Sequence, residues 1–197
     1  MHALIRALTV AFHRQCATWA VIFNRTEAAL RHWEAVRALR PHDPDVLGAL
    51  AHLRAQLGQR EAALALLGQV VQVAPDRAAA WFNLAFLRQE GGLHLEALEA
   101  FDRALALDDR LDRAWYGKAL SLIKLGRVEE SIPLLTKNTE LQPMSPYGWY
   151  QLAHAYHRLG RPDRVEKVIR KLAGFEPKVA QQLERETGVR VGVETPF

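Results

Sequence analysis

The chain has 197 residues, of which 49% are apolar and 24% are charged, and its formal net charge is +4. This composition is typical of a folded globular protein, because disordered chains contain fewer apolar residues and more unbalanced charge. The single cysteine, Cys16, excludes an intramolecular disulfide, so an apolar core must hold the fold together.

The chain begins with a predicted helix that starts near Ala3. Its apolar face consists of Leu4, Ile5, Leu8 and Phe12. The small residues of a signal-peptide cleavage site do not follow this face. The next apolar run, 16–23, is far shorter than the roughly 20 residues of a spanning helix, so no transmembrane segment is predicted. We expect a helix that caps the fold or forms a homo-oligomer. An amphipathic anchor on a membrane surface is the alternative.

A pattern of helix-forming residues recurs every 34 residues through the rest of the chain. A large apolar residue recurs at Leu47, Trp81, Trp115 and Trp149, and we expect this column to be buried. A small residue follows at Ala51, Ala85, Ala119 and Ala153, and a turn glycine at Gly58, Gly92, Gly126 and Gly160. Each unit is therefore predicted to be two antiparallel helices that need neighbouring units to bury their apolar faces.

The columns resemble the tetratricopeptide repeat (TPR) family, whose signature is Trp-x2-Leu-Gly/Ala, a turn glycine, Ala-x3-Phe/Tyr-x2-Ala and a closing proline. Residues 78–111 carry it at Trp81, Leu84, Ala85, Gly92, Ala97, Phe101 and Ala104. The resemblance implies an all-α fold, a right-handed α-solenoid of helix-turn-helix repeats. Four repeats are predicted at 44–77, 78–111, 112–145 and 146–179.

Residues 1–43 hold the N-terminal helix and a degenerate first repeat. His13 and Cys16 replace the tryptophan and leucine of the signature, whereas the later columns fit it. Asn24 replaces the turn glycine, and asparagine is the next most tolerant residue of positive φ. Cys16 is expected to pack as a small apolar side chain without a nucleophilic role.

The fourth repeat departs most from the signature. Lys118 stands where leucine is expected and is predicted to extend its amine to water. Asn138 stands where alanine is expected and needs a hydrogen-bond partner if it is buried. After the last repeat, residues 178–187 are predicted to form a capping helix that ends at Gly188. The tail, 188–197, is expected to be loose or to lie over the surface.

No catalytic motif accompanies these repeats. The sequence has no glycine-rich phosphate loop, no nucleophile elbow and no cysteine pair. His154 and His157 share a helix face, but no third ligand has a matching spacing. We therefore predict a protein that is not an enzyme and that has no metal site and no cofactor.

The resemblance implies that the first helices line a concave groove that binds a peptide or helix of a partner protein. The predicted groove residues are Phe82, Phe86, Tyr116, Leu120, Ile123, Tyr147, Tyr150 and His154, flanked by the basic residues Arg113, Lys124 and Arg158. An aromatic residue after the tryptophan is frequent in the family, so Phe82, Tyr116 and Tyr150 serve the scaffold alone in an alternative interpretation.

Charge is unevenly distributed among the repeats. Residues 78–111 carry three basic and six acidic side chains, whereas 146–179 carry seven basic and three acidic ones. The basic residues lie mostly on the second helix without interleaved aromatics, which favours a solvated face over nucleic-acid binding. An acidic partner segment would suit this end of the chain.

These features favour a non-catalytic scaffold or adaptor in the assembly of a protein complex, located in the cytoplasm. Two alternatives stay open: a secretion-type or assembly chaperone that holds an apolar client segment, and the substrate-recruiting domain of a larger enzyme. The heavy use of alanine, leucine and arginine favours a GC-rich bacterial genome as the source.

Overall fold

The computed structural model describes residues 2–193, and within that range it contains eleven α-helices and no strand. They are α1 (His2–Ile22), α2 (Thr26–Leu39), α3 (Pro44–Gln56), α4 (Arg60–Val73), α5 (Ala78–Glu90), α6 (His94–Leu107), α7 (Asp112–Lys124), α8 (Val128–Leu141), α9 (Pro146–Arg158), α10 (Pro162–Ala173) and α11 (Pro177–Thr187). The predicted all-α fold class of helix-turn-helix repeats is confirmed.

The helices keep the 34-residue period of the sequence. The first helices of successive repeats begin at Pro44, Ala78, Asp112 and Pro146, and the second helices begin at Arg60, His94, Val128 and Pro162. The turn between them needs a left-handed backbone, for which glycine is the best residue. Gly126 has a φ of 78° and Asn24 has a φ of 54°, so the predicted turn residues are confirmed.

The described chain forms two compact units. The first contains α1–α5 up to residue 92, and the second contains α6–α11 from residue 93. Fully buried side chains of the first unit include Val36, Val46, Leu47 and Leu50. Those of the second include Phe101, Leu135, Ile169, Leu172 and Leu183. Each unit therefore has an apolar core of its own.

The tryptophan column lies at the edge of these cores, not inside them. Trp81, Trp115 and Trp149 are half-buried, whereas the alanines four positions further on are at most 1% exposed. The expected burial of the tryptophans was therefore wrong in degree. The alanine column is the part of this helix face that is fully buried.

Two irregular residues of the fourth repeat have partners. The amine of half-buried Lys118 forms an ion pair with the exposed carboxylate of Asp102, so it ends on a carboxylate and not in free water. Asn138 is 6% exposed, and its Nδ2 donates a hydrogen bond to the carbonyl oxygen of Asp112 at 3.0 Å. That bond compensates the burial of the amide.

The C-terminal helix packs against α9 and α10 and buries Ala180 and Leu183. It ends at Gly188, which has a φ of 73°. Beyond it, the backbone N–H of Gly192 donates to Glu184 Oε1 at 2.8 Å, and the side chain of Gln181 donates to the carbonyl oxygen of Val193 at 3.0 Å. Residues 188–193 therefore lie over the surface of this helix. The rest of the predicted tail, 194–197, lies outside the described residues.

The N-terminal helix α1 is continuous and packs against α2. Val10, Ala17 and Ala20 are its buried residues, and Cys16 is a half-buried free thiol. No helix between residues 2 and 193 combines the length and the hydropathy needed to cross a bilayer.

Candidate protein-binding site

A small cavity lies between α3 and α5, the first helices of two successive repeats, and α4 contributes to its floor. Its volume is about 170 Å³, and its lining residues are Gly48, Ala51, His52, Ala55, Leu67, Asn83, Phe86 and Leu87. We call it the α3–α5 cavity. Ala51 and Leu67 are buried, so the floor is apolar, whereas Phe86 is 49% exposed and forms a wall.

The cavity exists because Gly48 has no side chain. The same column holds Phe82, Tyr116 and Tyr150 in the later repeats. A Cβ built on Gly48 would meet no atom within 4 Å, so the glycine opens onto free space. Gly48 was not among the predicted groove residues, although the 34-residue period places it in this column.

Phe82 and Phe86 stack on each other, with ring centroids 6.2 Å apart and planes inclined by 24°. Phe82 is only 9% exposed, so it supports Phe86 from below. Of the two predicted groove aromatics on α5, Phe86 is therefore the one that a partner can reach.

Two polar side chains stand at the mouth of the α3–α5 cavity. Asn83 is exposed. His52 Nε2 lies 3.1 Å from the side-chain nitrogen Nε2 of Gln56. Asn83 was missed in the sequence analysis. The signal was present, because a single amide within the otherwise apolar stretch 81–87 is unusual unless it faces solvent or a ligand.

In the second unit, the predicted groove residues differ in exposure. Tyr147 is 71% exposed and Tyr116 is half-buried. Burial raises the pKa of Tyr116, and a side-chain hydrogen bond with Gln151 partly opposes that rise. Leu120 and Ile123 are also half-buried, and the exposed basic residues are Arg113, Lys124 and Arg158.

The C-terminal helix, α11, contacts two of the predicted groove residues, Tyr150 and His154, through the carboxylate of Glu186. The hydroxyl of Tyr150 donates to Glu186 Oε2 at 2.7 Å, and His154 Nε2 lies 2.9 Å from the same oxygen. Gln182 donates to Glu186 Oε1 at 2.8 Å. These donors lower the pKa of Glu186, with Gln182 contributing most, and the carboxylate raises the pKa of Tyr150. The α9 face is thus closed by α11 at this point.

A second cavity, of about 520 Å³, lies between α8, α9 and α10. Its lining includes the apolar and aromatic side chains of Trp149, Leu152, Tyr156 and Val168, the basic residues Arg164, Lys167 and Lys171, and one acidic residue, Glu140. The sequence analysis treated these basic residues as a solvated face. The sequence of α10 is strongly amphipathic, so it already indicated that basic residues lie beside an apolar face of this helix.

No group of three or more histidine, cysteine, aspartate or glutamate side chains is arranged to hold a metal ion in the part of the chain that the structure describes. His154 is instead bonded to Glu186.

Two curated proteins match part of the chain. Superkiller complex protein 3 of Mus musculus is 28% identical over 125 residues, which are 62% of this chain and 8% of that protein. BBSome complex member bbs-4 of Caenorhabditis elegans is 33% identical over 113 residues, which are 56% of this chain and 24% of that protein. The matched segments therefore span a quarter or less of the length of these relatives.

Several solved structures share the fold. A crystal structure of MamA has a TM-score of 0.77 and 18% identity, and the match covers 95% of this chain and 98% of that one. YrrB, a TPR protein described as having an unusual peptide-binding site, has a TM-score of 0.74 and 15% identity, with 86% and 88% covered. At these identities the likeness shows the fold alone.

The profile of the tetratricopeptide repeat family matches residues 20–85, 87–137 and 116–177. These segments overlap every helix from α3 to α10. The chain belongs to the tetratricopeptide repeat family.

Proposed function

We propose that this protein is a non-catalytic TPR scaffold that takes an apolar side chain of a partner's peptide or helix into the α3–α5 cavity. The observation that carries the proposal is the cavity itself, with its volume of about 170 Å³. A space of this size with an apolar floor suits one aliphatic side chain. Sites of this kind combine an apolar pocket with a few polar groups that fix orientation.

The walls of the α3–α5 cavity support recognition of a peptide. Phe86 is exposed but is held in place by its stack on buried Phe82, so little side-chain entropy is lost when a partner covers it. Asn83 and His52 offer hydrogen-bonding groups beside the apolar floor. An anchor residue would therefore enter the cavity while its main chain bonds to the amide of Asn83.

A role in complex assembly is part of the proposal. The two partial relatives are named as members of protein complexes, and YrrB is described as binding a peptide. A scaffold of this kind remains with its folded partner, whereas a chaperone releases its client once the client has folded. We place the protein in the cytoplasm, where a reducing environment keeps the free thiol of Cys16 reduced.

The test uses a pair of glycine variants and a random peptide library displayed on phage. Peptides selected on the wild-type chain are titrated against Gly48→Leu and Gly68→Leu. Both glycines lie inside helices and face open space, but only Gly48 lines the cavity. We expect Gly48→Leu to weaken binding by about tenfold or more, because its side chain occupies the cavity, and Gly68→Leu to leave it unchanged.

Phe86→Ala supplies a second measurement on the same site, with an expected loss of about 1–3 kcal/mol in binding free energy. Circular dichroism must show the same helical signal for all variants. If selected peptides bind Gly48→Leu and Phe86→Ala as tightly as the wild type, the proposed site is wrong.

A second candidate site is the cavity between α8, α9 and α10. Lys167 and Lys171 are exposed beside its apolar lining, and with Arg164 they outnumber the acidic lining residue Glu140, so the cavity suits an acidic peptide segment with an aromatic anchor. Substitution of both lysines by glutamine would then slow association with an acidic peptide and reduce its salt dependence. Preference of the same surface for single-stranded nucleic acid would contradict this assignment.

A further inference from the structure

The outward face of α1 carries a regular seam of exposed side chains. It consists of Ile5, Leu8, Phe12, Gln15, Trp19 and Ile22, and we call it the α1 seam. Its five apolar members are between 51% and 62% exposed, and Gln15 is exposed as well. The opposite face of the same helix is the one that packs against α2, with Val10 and Ala17 buried.

The spacing of the α1 seam is that of a coiled coil. Its members follow one another at intervals of three, four, three, four and three residues, which is the a/d pattern of the heptad repeat. The pattern runs from Ile5 to Ile22, about 26 Å of helix at 1.5 Å per residue. A seam of this type indicates that the partner is another helix.

Charge is absent from the α1 seam. Arg6 and Arg14 are the charged residues of α1, and both are bound on the body of the protein. Arg6 donates to the carbonyl oxygen of Leu39, and Arg14 forms an ion pair with Asp43 at 3.6 Å. A helix that binds anionic membrane surfaces needs basic side chains free beside its apolar face. These contacts favour a protein helix over a lipid surface.

The α1 seam is complementary to its own antiparallel image. With a two-fold axis midway between Phe12 and Gln15, Phe12 of one copy lies opposite Gln15 of the other. Leu8 then lies opposite Trp19, so a large side chain meets a smaller one at each of these layers. A parallel pair would instead set Trp19 against Trp19 and Phe12 against Phe12, which leaves gaps at Leu8.

We propose that two copies of this chain associate through their α1 seams as an antiparallel, two-fold symmetric helix pair. Gln15 is the one polar residue at a core position, and in this register it lies in a layer next to the two-fold axis, opposite Phe12 of the other copy. Leu4 and Phe23, each 65% exposed, flank the outermost layers, in which Ile5 of one copy faces Ile22 of the other. The exposed surface of the apolar seam residues, together with that of Leu4 and Phe23, is roughly 800 Å² per copy, which is the area that each partner contributes to a standard protein interface.

The first test is sedimentation velocity of the full chain over a range of micromolar concentrations. We expect a monomer–dimer equilibrium for the wild type. Leu8→Glu should raise the dimer dissociation constant by about tenfold or more, since it buries a charge in the seam. Leu95→Glu is the matched control, because Leu95 is 61% exposed and lies on α6, outside the seam. It should leave the dissociation constant unchanged.

The second test examines the antiparallel register. The double variant Leu8→Glu with Trp19→Lys places opposite charges in contact only if residue 8 of one copy faces residue 19 of the other. We expect it to dimerise more tightly than Leu8→Glu alone. Trp19→Lys alone, which lacks the facing glutamate, should dimerise more weakly than the double variant.

Three results would overturn the proposal. The wild type could remain monomeric throughout the concentration range, or Leu8→Glu could dimerise as well as Leu95→Glu. In the third, the monomeric wild type binds vesicles of phosphatidylcholine and phosphatidylserine and Leu8→Glu does not, which would make a lipid surface the occupant. The peptide-binding proposal is independent of this one, because Gly48→Leu should leave dimerisation unchanged.

Discussion

The indole Nε1 of Trp81 donates a hydrogen bond to the main-chain carbonyl oxygen of Pro75, six residues earlier, at 2.8 Å. The bond recurs from Trp115 to Asp109 at 2.8 Å and from Trp149 to Pro143 at 3.0 Å. Each half-buried tryptophan therefore closes the loop that leads into its own helix. This explains why the column lies at the edge of the core, where the loop carbonyl can be reached.

Substitution of Trp81 by phenylalanine should separate the hydrogen bond from the apolar contact. Trp81→Phe keeps an aromatic ring but leaves the Pro75 carbonyl oxygen without its donor, so we expect a loss of about 0.5–1.5 kcal/mol in unfolding free energy. Trp81→Ala should cost more, roughly 2–3 kcal/mol, because ring contacts are lost as well. Urea denaturation followed by circular dichroism measures both.

Trp33→Phe is the matched control for this prediction. Trp33 is also half-buried, but its indole N–H donates no hydrogen bond to a described residue, and the guanidinium carbon of Arg14 lies 5.8 Å from the centroid of its ring. Its replacement should cost less than about 0.5 kcal/mol. Equal costs for Trp81→Phe and Trp33→Phe would show that the bond to Pro75 contributes nothing to stability.

The fold could be predicted from the sequence because it depends on local periodicity. Glycine at position 126 and asparagine at 24 fix left-handed turns wherever they fall, and the 34-residue period places the helices. The sequence also indicates that Asn138 needs a hydrogen-bond partner, but it does not identify that partner. That partner is the carbonyl oxygen of Asp112 at the start of α7, 26 residues away.

The candidate site could be predicted only in part, because it depends on contacts between elements. Phe86 and Phe82 share a helix, yet one is exposed and the other is buried. Tyr150 was predicted as a groove residue, but its hydroxyl is bonded to Glu186 of α11. No spacing rule within α9 shows that another helix ends above it. The α3–α5 cavity depends on a side chain that Gly48 lacks.

Leu183→Ala should destabilise the second unit by about 2–5 kcal/mol, the usual cost of truncating a fully buried leucine. Leu183 is 0% exposed and holds α11 against α9 and α10. Leu95→Ala is the control, since Leu95 is 61% exposed and should change stability by less than about 0.5 kcal/mol. Hydrogen exchange of α11 amides reports the effect locally, and unchanged protection in Leu183→Ala would contradict the predicted role of this contact.

The contact between α11 and α9 should depend on pH at both ends of the scale. The pKa of Glu186 is lowered, so its contribution is present above the ordinary glutamate value, about 4.3, and is lost as the pH falls through the folded value. The pKa of Tyr150 is raised, so its contribution is present below about pH 10 and is lost as the pH rises through the folded value.

Carboxyl ¹³C NMR titration measures the acid limb of this contact. Tyr150→Phe should move the midpoint of Glu186 upward, because a hydrogen bond to its ionised form is removed. Tyr147→Phe is the control, since Tyr147 is exposed on the same helix and has no recorded bond to Glu186. A midpoint that Tyr150→Phe leaves in place would mean that the tyrosine does not bond to the carboxylate in solution.

The last prediction concerns the pair Asn138 and Gly148. A Cβ built on Gly148 would lie 2.2 Å from Asn138 Oδ1 and 3.2 Å from Thr139 Cγ2. The repeat pattern has Ala80 and Ala114 in the column of Gly148, so glycine replaces alanine where asparagine replaces alanine on the facing helix. Gly148→Ala should therefore cost about 1–3 kcal/mol, although alanine favours a helix.

Removing the asparagine as well should reverse that cost. Asn138→Ala alone loses the bond to Asp112, about 1 kcal/mol. In the double variant the methyl group introduced at position 148 no longer meets the side-chain amide of residue 138. The double variant should therefore be more stable than Gly148→Ala alone. The coupling energy from a double-mutant cycle should be about 1–3 kcal/mol. Gly68→Ala is the control, since its Cβ meets nothing within 4 Å and should stabilise the chain by roughly 0.5–1 kcal/mol. Additive effects at 138 and 148 would mean that the two residues do not compensate each other.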